Sequence, residues 1–474
     1  MPFAKTGGLA DMVGALLRSL RLAGNDVRAF MPLYPVVRRE HAEITQISGL
    51  EEIRLSLGGA EYAFSVYTAT LDRTDIPIYF IDCPAMFDRP VLYTTDPDEH
   101  KRFLLFTRAA LESCRRIGLA PDILHCNDWH TAFAPLYLKT LFATDGWFAK
   151  TKSVLTIHNI GFQGVIPSSA VGDLELGLAW TQLDQADLTR GVINSLKTGI
   201  KYADLVTTVS PTYAREICDA PAGMGLESAL RARTDRVVGI LNGVDYEVWD
   251  PRHDPYLRTH FDARNSSGKS VNKELLISAV ELTLPLNLPL IGMVSRLTVQ
   301  KGIDLLFEAL PLLLQTREFG LVVLGSGDKQ YEDFFSGMAR EFPGRVAYRA
   351  GYDESMAHLI EAGSDMFLMP SQYEPCGLNQ MYSLRYGTIP VVRNTGGLAD
   401  SVQHFDPVSG VGTGCVFNDF DVPAVTWAVN TALDWYGNPA LWKVLMQNAM
   451  AKDFSWEAQA AQYVTLYAGL AARN

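Results

Sequence analysis

The sequence has no excess of positive charge. Its 474 residues include 41 Lys and Arg against 53 Asp and Glu, which gives a formal net charge of −12. Because nucleic-acid-binding surfaces carry basic patches, we expect no nucleic-acid partner. No run of residues approaches the ~20 apolar residues that cross a bilayer, so we expect no membrane partner either. Any anionic ligand would have to meet a local cluster of cations.

Cysteine is also scarce. The six cysteines show no C-x-x-C and no framework spacing, which is typical of free thiols in a reducing compartment. Lys5 and the Gly7-Gly8 pair interrupt any apolar run of a signal peptide. We therefore expect a cytoplasmic protein. His125 and His130 lack a convincing third ligand nearby, so no metal is expected.

Short apolar segments alternate with amphipathic stretches along the whole chain. Alternation of this kind predicts an α/β protein with parallel sheets, and the length predicts two domains. We expect two Rossmann-like doubly wound domains that face a central cleft, which is the default ligand site of such folds. The predicted strands are 27–32, 76–82, 122–128, 153–159, 205–210, 288–296, 319–327, 346–351, 365–371 and 389–394.

The domain break is predicted near GILNGVDYEVWDP (239–251), where a strand-like run ends in Asn-Gly. We expect an N-terminal domain over 1–241 and a C-terminal domain over 242–455. The last segment, 456–474, is expected to form a helix that packs back on the N-terminal domain. The glycines, serines and charges of 262–273 indicate an exposed loop.

SRLTVQKG (295–302) follows a predicted strand and opens a helix. There Arg296 and Lys301 are expected to converge on one anion, because Arg offers a forked contact and Lys a compact charge. The alternative is a pair of solvated surface cations.

Glu374 also follows a predicted strand, and the neighbouring Pro375 and Gly377 shape its backbone. We expect it to contact a ligand, and the alternative is a carboxylate that caps the next helix.

The letters TGGLAD occur twice, within 5–11 and within 394–400. Paired glycines at a helix start allow backbone amides to face a phosphate or a sugar. The alternative is that each glycine pair serves packing alone.

In chain order these segments resemble the bacterial glycogen synthase and plant starch synthase family, which are retaining glucosyltransferases of the GT-B architecture. KTGGLAD, DWH, TIHN, YADLVTTVSPTYAREI, GILNGVDYEVWDP, SRLTVQKG, EPCGLNQMYSLRYGTIPVVRNTGGLAD and DFSW recur in order, from Lys5 almost to the C-terminus. The resemblance implies transfer of glucose from ADP-glucose to the nonreducing end of an α-1,4-glucan such as glycogen, with release of ADP and without a cofactor.

The resemblance also implies roles for individual residues. Arg296 and Lys301 would hold the diphosphate, Tyr352 would stack on adenine, and Glu374 would position the glucose without acting as a nucleophile. The implied catalytic set is His158, Arg296, Lys301, Glu374 and Asp128. The implied substrate-binding set is Lys5, Thr6, Gly7, Gly8, Asp11, Trp129, Asn159, Gly325, Tyr352, Cys376, Gly377, Leu378, Thr395, Gly396 and Gly397.

Two departures from the family pattern matter. Related transferases carry E-x7-E, and the second position here is Tyr382, as is usual in the synthases. The family also places a strand before the Lys5 loop, so we expect the native chain to begin upstream of Met1. The shortened start leaves open a catalytically impaired glucan-binding or regulatory homologue. A two-lobed solute-binding protein would need an export signal.

Overall fold

The computed structural model describes residues 3–4, 8–233 and 237–472. The chain divides into two units. Unit 1 comprises Met1–Val209, Ala214–Gly243 and Trp456–Asn474, and unit 2 comprises Ser210–Tyr213 and Val244–Ser455.

Unit 2 contains a six-stranded parallel sheet built from apolar runs. Its strands are β12 (Leu290–Val294), β13 (Gly320–Leu324), β14 (Val346–Arg349), β15 (Met366–Met369), β16 (Ile389–Arg393) and β17 (Cys415–Phe417). Their order across the sheet is β14-β13-β12-β15-β16-β17. In sequence terms this is the doubly wound order 3-2-1-4-5-6, which reverses direction between β12 and β15. Ligands of such sheets bind beyond the carboxyl ends of the strands at that reversal.

The helices of unit 2 alternate with these strands. They are α10 (Ser267–Ala279), α11 (Ile303–Thr316), α12 (Lys329–Glu341), α13 (Glu354–Gly363), α14 (Asn379–Tyr386), α15 (Gly396–Ser401), α16 (Val422–Tyr436) and α17 (Pro439–Met450). The predicted helix after Lys301 is confirmed as α11.

The prediction of an exposed loop over 262–273 is wrong for its second half, where α10 begins at Ser267. Lys269 and Lys273 of α10 are buried. The ammonium of Lys269 donates to the carbonyl oxygens of Ala362 and Tyr386 at 3.1 Å each, and to Thr388 Oγ1 at 2.6 Å. Burial lowers the pKa of Lys269 to about 7. Because its polar residues face inward, α10 lacks the apolar periodicity that would reveal a helix.

Unit 1 contains two larger sheets and a small one. Its strands are β1 (Ala29–Pro32), β2 (Thr45–Gln46), β3 (Ile53–Leu57), β4 (Ala60–Thr70), β5 (Pro77–Asp82), β6 (Ile123–Asn127), β7 (Lys152–Ile157), β8 (Val165–Pro167), β9 (Val192–Asn194), β10 (Leu205–Thr208) and β11 (Val237–Gly239). One sheet has the order β1-β5-β4-β2, with β3 also on β4, and the other is β11-β10-β7-β6. β8 pairs with β9.

The second of these sheets is parallel throughout, but β2, β3 and β4 pair in antiparallel fashion. These three strands were not predicted from the sequence. Gly58 and Gly59 connect β3 to β4, and both have positive φ, 60° and 74°. A two-residue glycine turn of this kind joins antiparallel strands with little strain.

The helices of unit 1 lie between these strands and at the end of the chain. They are α1 (Gly8–Leu22), α2 (Pro35–Glu40), α3 (Pro84–Phe87), α4 (Glu99–Arg116), α5 (Ala134–Lys139), α6 (Gln185–Thr189), α7 (Ser195–Tyr202), α8 (Pro211–Glu216, which the unit boundary divides), α9 (Glu227–Arg231) and α18 (Trp456–Ala471). α18 packs against α1, where Met12 and Leu16 join Trp456 and Tyr463 in one apolar cluster.

All ten predicted strands are present, within a few residues of their predicted ends. The α/β prediction is therefore confirmed for both units. Over the described ranges, no helix has the length and apolar character needed to cross a membrane.

We predict that Lys269→Met lowers the free energy of unfolding by about 2–4 kcal/mol, since the buried acceptors around its ammonium lose their donor. Urea denaturation measures the change. Lys329→Met is the matched control, because its side chain is 86% exposed and forms a surface pair with Asp333. A loss no larger than in this control would contradict the structural role of Lys269.

Candidate active site

The loops that follow β12 and β15 meet through an ion pair. Lys301 lies in the short 3-10 helix Val299–Lys301, and its Nζ is 2.6 Å from Glu374 Oε2. The same carboxylate oxygen accepts from Ser371 Oγ at 3.0 Å. The Glu374 side chain is only 7% exposed, so Lys301 compensates a buried charge. This pair lies at the reversal point of the sheet, where the fold predicts a ligand.

Glu374 is therefore not a helix cap. Leu378 is the N-cap of α14, and no side chain makes a capping bond there. Lys301 is not a solvated surface cation either, since it is paired and mostly covered. For these two residues the alternatives considered from sequence are wrong.

Glycine permits unusually close backbone contacts around this ion pair. A Cβ on Gly302, which has a φ of 69°, would lie 2.0 Å from the carbonyl oxygen of Pro370. Cβ atoms on Gly396 and Gly397 would each lie 1.9 Å from a carbonyl oxygen, that of Glu374 and that of Cys376. The Gly397 N–H also donates to the Glu374 carbonyl at 3.0 Å. The second TGGLAD segment therefore supports the Glu374 loop directly, and its glycines are needed for packing.

Other candidate residues of unit 2 surround the same strand ends. Arg296 follows β12 and is exposed. Gly325 follows β13, against the carbonyl of Ser295. Tyr352 is 63% exposed, and its hydroxyl donates to Glu354 Oε2 at 2.6 Å. These positions leave a guanidinium and an aromatic ring accessible to a ligand. Cys376, Gly377, Leu378 and Thr395 lie in the segments that flank the glycine contacts.

In unit 1, the candidate residues gather at the carboxyl ends of β6 and β7. Asp128 directly follows β6 and has a φ of 52°, an uncommon backbone conformation for a non-glycine residue. Its Oδ1 accepts from the backbone N–H of His158 at 2.7 Å and of Asn159 at 3.5 Å. The structure therefore brings together three residues that the sequence analysis had selected separately.

Burial raises the pKa of Asp128 to about 7, against the opposing effect of the His158 and Asn159 amides. Burial, together with smaller effects of the neighbouring His125 and His130, lowers the pKa of His158 to about 3. His158 Nε2 lies 2.9 Å from Asn127 Oδ1. Because an amide oxygen only accepts, Nε2 carries the proton of a neutral imidazole, and Nδ1 can accept from a ligand hydroxyl.

The remaining candidates of unit 1 are only partly described. Trp129 follows Asp128, and its ring lies 4.2 Å from that of His130. Gly8 opens α1, and Asp11 lies in its first turn. Lys5, Thr6 and Gly7 lie outside the described residues, so their predicted contacts with substrate stay predictions.

Two residues of these clusters were not predicted from the sequence as site residues. They are Asn127 and Ser371. Asn127 orients His158, and Ser371 supports Glu374. Both stand at the carboxyl end of a predicted strand, within three residues of a candidate. A search for hydrogen-bonding side chains at each strand end would have found them.

The chain is similar to known proteins along nearly its whole length. The family model for the starch synthase catalytic domain matches residues 1–232, and that for group 1 glycosyl transferases matches 278–442. The glycogen synthase of Koribacter versatilis is 43% identical over 98% of this chain and 96% of its own length. The glycogen synthase of Anaeromyxobacter dehalogenans is 44% identical over 99% and 98%.

Solved structures show the same relationship. The catalytic domain of starch synthase IV from Arabidopsis thaliana, bound to ADP and acarbose, matches with a TM-score of 0.90 and 34% identity, over 100% of this chain and 97% of its own. Sucrose-phosphate synthase from Thermosynechococcus elongatus matches with a TM-score of 0.61 and 19% identity, over 99% and 95%. At that identity the second match shows a shared fold alone.

We predict that Asp128→Asn raises the melting temperature at pH 8 and has a smaller effect at pH 5. The native pKa of about 7 lies above the ordinary value of 3.8, so the native state holds a proton between these values that the unfolded state has lost. Native stability therefore falls as pH rises through that window. At about 1.4 kcal/mol per pKa unit, the raised pKa of Asp128 lowers the free energy of unfolding at pH 8 by a few kcal/mol at most.

Asparagine keeps the acceptor oxygen and avoids this cost. Thermal melts at both pH values measure the difference. Asp72→Asn, in a side chain that is 69% exposed, is the control and should change little at either pH. A lower melting temperature for Asp128→Asn at pH 8 than for wild type would contradict the buried-carboxyl account.

Proposed function

The chain belongs to the bacterial glycogen synthase and plant starch synthase family and is a glucosyltransferase, and we propose that its donor is ADP-glucose. We propose further that it adds glucose to the nonreducing end of an α-1,4-glucan with retention of configuration. The observation that carries this proposal is the ion pair of Lys301 and Glu374 at the reversal point of the unit 2 sheet. ADP in the solved starch synthase IV supports the choice of nucleotide.

In this proposal unit 2 binds the sugar nucleotide. Arg296 and Lys301 hold the diphosphate and stabilise the negative charge that develops as the bond from glucose C1 to the phosphate oxygen breaks. Glu374 orients the glucose, and the amides near Cys376, Gly377 and Leu378 assist it. Gly325 allows close approach of the nucleotide to the backbone. Tyr352 stacks on adenine, which its exposed ring supports.

Thr395, Gly396 and Gly397 contribute a further turn beside the donor. Their support is the direct backbone contact that these glycines make with the Glu374 loop.

Unit 1 binds the glucan acceptor. His158 and Asn159 contact the sugar, and Asp128 and Trp129 lie beside the acceptor chain. A neutral His158 with an accepting Nδ1 suits a sugar hydroxyl. Lys5, Thr6, Gly7, Gly8 and Asp11 are proposed to reach the sugar nucleotide from this unit, and their support is the family motif alone.

Retention is proposed to occur on one face of the sugar, without a covalent intermediate. Glu374 is engaged by Lys301 and Ser371, and Asp128 by two backbone amides, which favours positioning roles for both carboxylates. The acceptor 4-hydroxyl forms the new bond at C1 as the phosphate oxygen leaves. Its proton passes to the departing diphosphate, and ADP is released.

We propose that transfer needs no metal, since Arg296 and Lys301 supply the cationic charge for the diphosphate. Among the described residues, no group of three or more His, Cys, Asp or Glu side chains could hold a metal ion. We propose the cytoplasm as the compartment, and the support is that all six cysteines are free thiols.

An assay of nucleoside diphosphate release with glycogen as acceptor tests the function. We expect ADP-glucose to be used at least about tenfold more efficiently than UDP-glucose, a difference of about 1.4 kcal/mol, and a chelator to leave the rate unchanged. Preference for UDP-glucose would overturn the donor assignment. Absence of glycogen-dependent release with either donor would overturn the proposed transfer.

We predict that Arg296→Ala and Lys301→Ala each lower turnover by about 100-fold, because losing one contact to developing charge costs about 3 kcal/mol. Their effects on stability should differ. Arg296 is exposed, so its loss should leave the melting temperature unchanged. Lys301→Ala removes the partner of a buried carboxylate and should lower the melting temperature as well.

The double variant Lys301→Ala with Glu374→Gln removes both charges. It should recover most of the lost melting temperature without recovering turnover. Lys329→Ala serves as the exposed-lysine control. Turnover within about twofold of wild type in folded Arg296→Ala or Lys301→Ala protein would rule out the diphosphate clamp, since that corresponds to less than about 0.5 kcal/mol.

A further inference from the structure

Gln380 lies in the first turn of α14 and is fully buried, with 0% of its surface exposed. Its side-chain Nε2 donates to two carbonyl oxygens of the preceding loop, that of Cys376 at 3.0 Å and that of Gly377 at 3.1 Å. The same nitrogen donates to Ser401 Oγ of α15 at 3.1 Å. Because an amide nitrogen has only two hydrogens, these three acceptors share them. One buried amide therefore connects the loop that carries Glu374 to both helices.

The Gln380 amide has one defined orientation. Cys376 and Gly377 present carbonyl oxygens, and the Ser401 hydroxyl donates its own hydrogen to the Gly397 carbonyl at 2.6 Å. All three neighbours are therefore acceptors, and the nitrogen must face them. The Oε1 atom of Gln380 is left buried without a hydrogen-bond partner among the described residues. An apolar side chain would avoid the free-energy cost of that unpaired acceptor, so the role of glutamine here lies in its donating end.

The two carbonyls that Gln380 binds fix the direction of the neighbouring backbone N–H groups. In a planar trans peptide, the C=O and the N–H of one unit point in opposite directions. With both carbonyls turned toward Gln380, the N–H groups of Gly377 and Leu378 point away from it. Over the described ranges, neither of these N–H groups donates to a backbone carbonyl. Gly377 has a φ of 69° and Leu378 lies in the αR region, a succession that arranges N–H groups as a concave anion site.

These two N–H groups lie beside the other donor-site residues of unit 2. Asn379 Nδ2 donates to the Val294 carbonyl at 2.7 Å, which places the start of α14 at the carboxyl end of β12. Arg296 comes two residues after Val294, and Lys301 contacts Glu374 in the loop before α14. The N-terminal amides of α14 add partial positive charge. These positions favour one anion that is bound by the cations and by both N–H groups.

We propose that Gln380 is a positioning residue of the donor site, which turns the Gly377 and Leu378 N–H groups toward the phosphate bonded to glucose. The inference rests on the proposed function in taking a nucleoside diphosphate glucose as the donor. Gln380 itself touches no substrate, because its side chain is fully buried. As the bond from glucose C1 to the phosphate oxygen breaks, the two N–H groups stabilise the charge that develops on this phosphate. Without the Gln380 donor the two peptides are free to turn, and both contacts weaken.

Calorimetric titration with ADP and with AMP tests this role, because AMP lacks the distal phosphate. Gln380→Met keeps the length of the side chain and removes the donor. In this variant we expect the Kd for ADP to rise about tenfold and the Kd for AMP to stay within about twofold of wild type. With ADP-glucose, kcat should fall about tenfold, and the KM for glycogen should not change. A residue that only supports the fold would affect both nucleotides alike.

Gln459→Met is the matched control, because Gln459 is also a buried glutamine, in α18 of unit 1, and accepts from Gln462 Nε2 at 2.8 Å. It should leave the ratio of the two Kd values unchanged even where the melting temperature falls. Gln380→Asn keeps the amide on a side chain that is one methylene shorter, so it should show the same selective loss. It decides the matter if Gln380→Met does not fold.

An unchanged ratio of Kd values in a folded Gln380 variant, or an equal change in Gln459→Met, would overturn the positioning role. If UDP-glucose proves to be the donor, the same comparison is made with UDP and UMP. A wild type that binds the diphosphate no more tightly than the monophosphate would also overturn the inference. Selective binding of the diphosphate without glycogen-dependent release of nucleotide would instead reject the proposed transfer, and the variants would still decide the role of Gln380.

Discussion

The contact between Lys301 and Glu374 is the interaction on which the arrangement of unit 2 depends. It joins the loops after β12 and β15, the two strands between which the sheet order reverses. Glu374 is buried, and removal of its cation would leave an uncompensated charge, which is among the most destabilising changes in a protein. The close contacts of Gly302, Gly396 and Gly397 bring these loops together. Packing and electrostatics therefore fix the same geometry.

The electrostatics of the candidate residues in unit 1 differ from those in unit 2. At the ends of β6 and β7, burial keeps His158 neutral and raises the pKa of Asp128 to about 7. In unit 2, by contrast, the cation Lys301 lies against Glu374, and the guanidinium of Arg296 is exposed after β12. Neutral hydrogen-bonding groups suit sugar hydroxyls, and cations suit a diphosphate. The proposed division into an acceptor unit and a donor unit follows from this contrast.

Structural features that depend on a local pattern of residues could be predicted from the sequence. Buried strands are apolar runs, so the central strands could be found without the structure. The hairpin at Gly58 and Gly59 had a readable signal in its turn, but α10 did not, because Lys269 and Lys273 point inward. The strand-end position of Glu374 was predictable, but its pairing with Lys301 depends on sheet order. The raised pKa of Asp128 depends on burial by distant residues, which no local pattern reveals.

Tyr382 stands where related transferases carry the second glutamate of E-x7-E, and its side chain has a packing role. Its ring stacks on Trp249 at 4.0 Å and 1°, and His358 stacks on Trp249 at 3.6 Å and 11°. Burial lowers the pKa of His358, but its bonds to Asp254 and Glu354 outweigh burial and raise it. A second glutamate at 382 would place a carboxylate against the indole. With tyrosine there, the segment around Trp249 is clamped to α13 and α14, and α14 is the helix that follows the Glu374 loop.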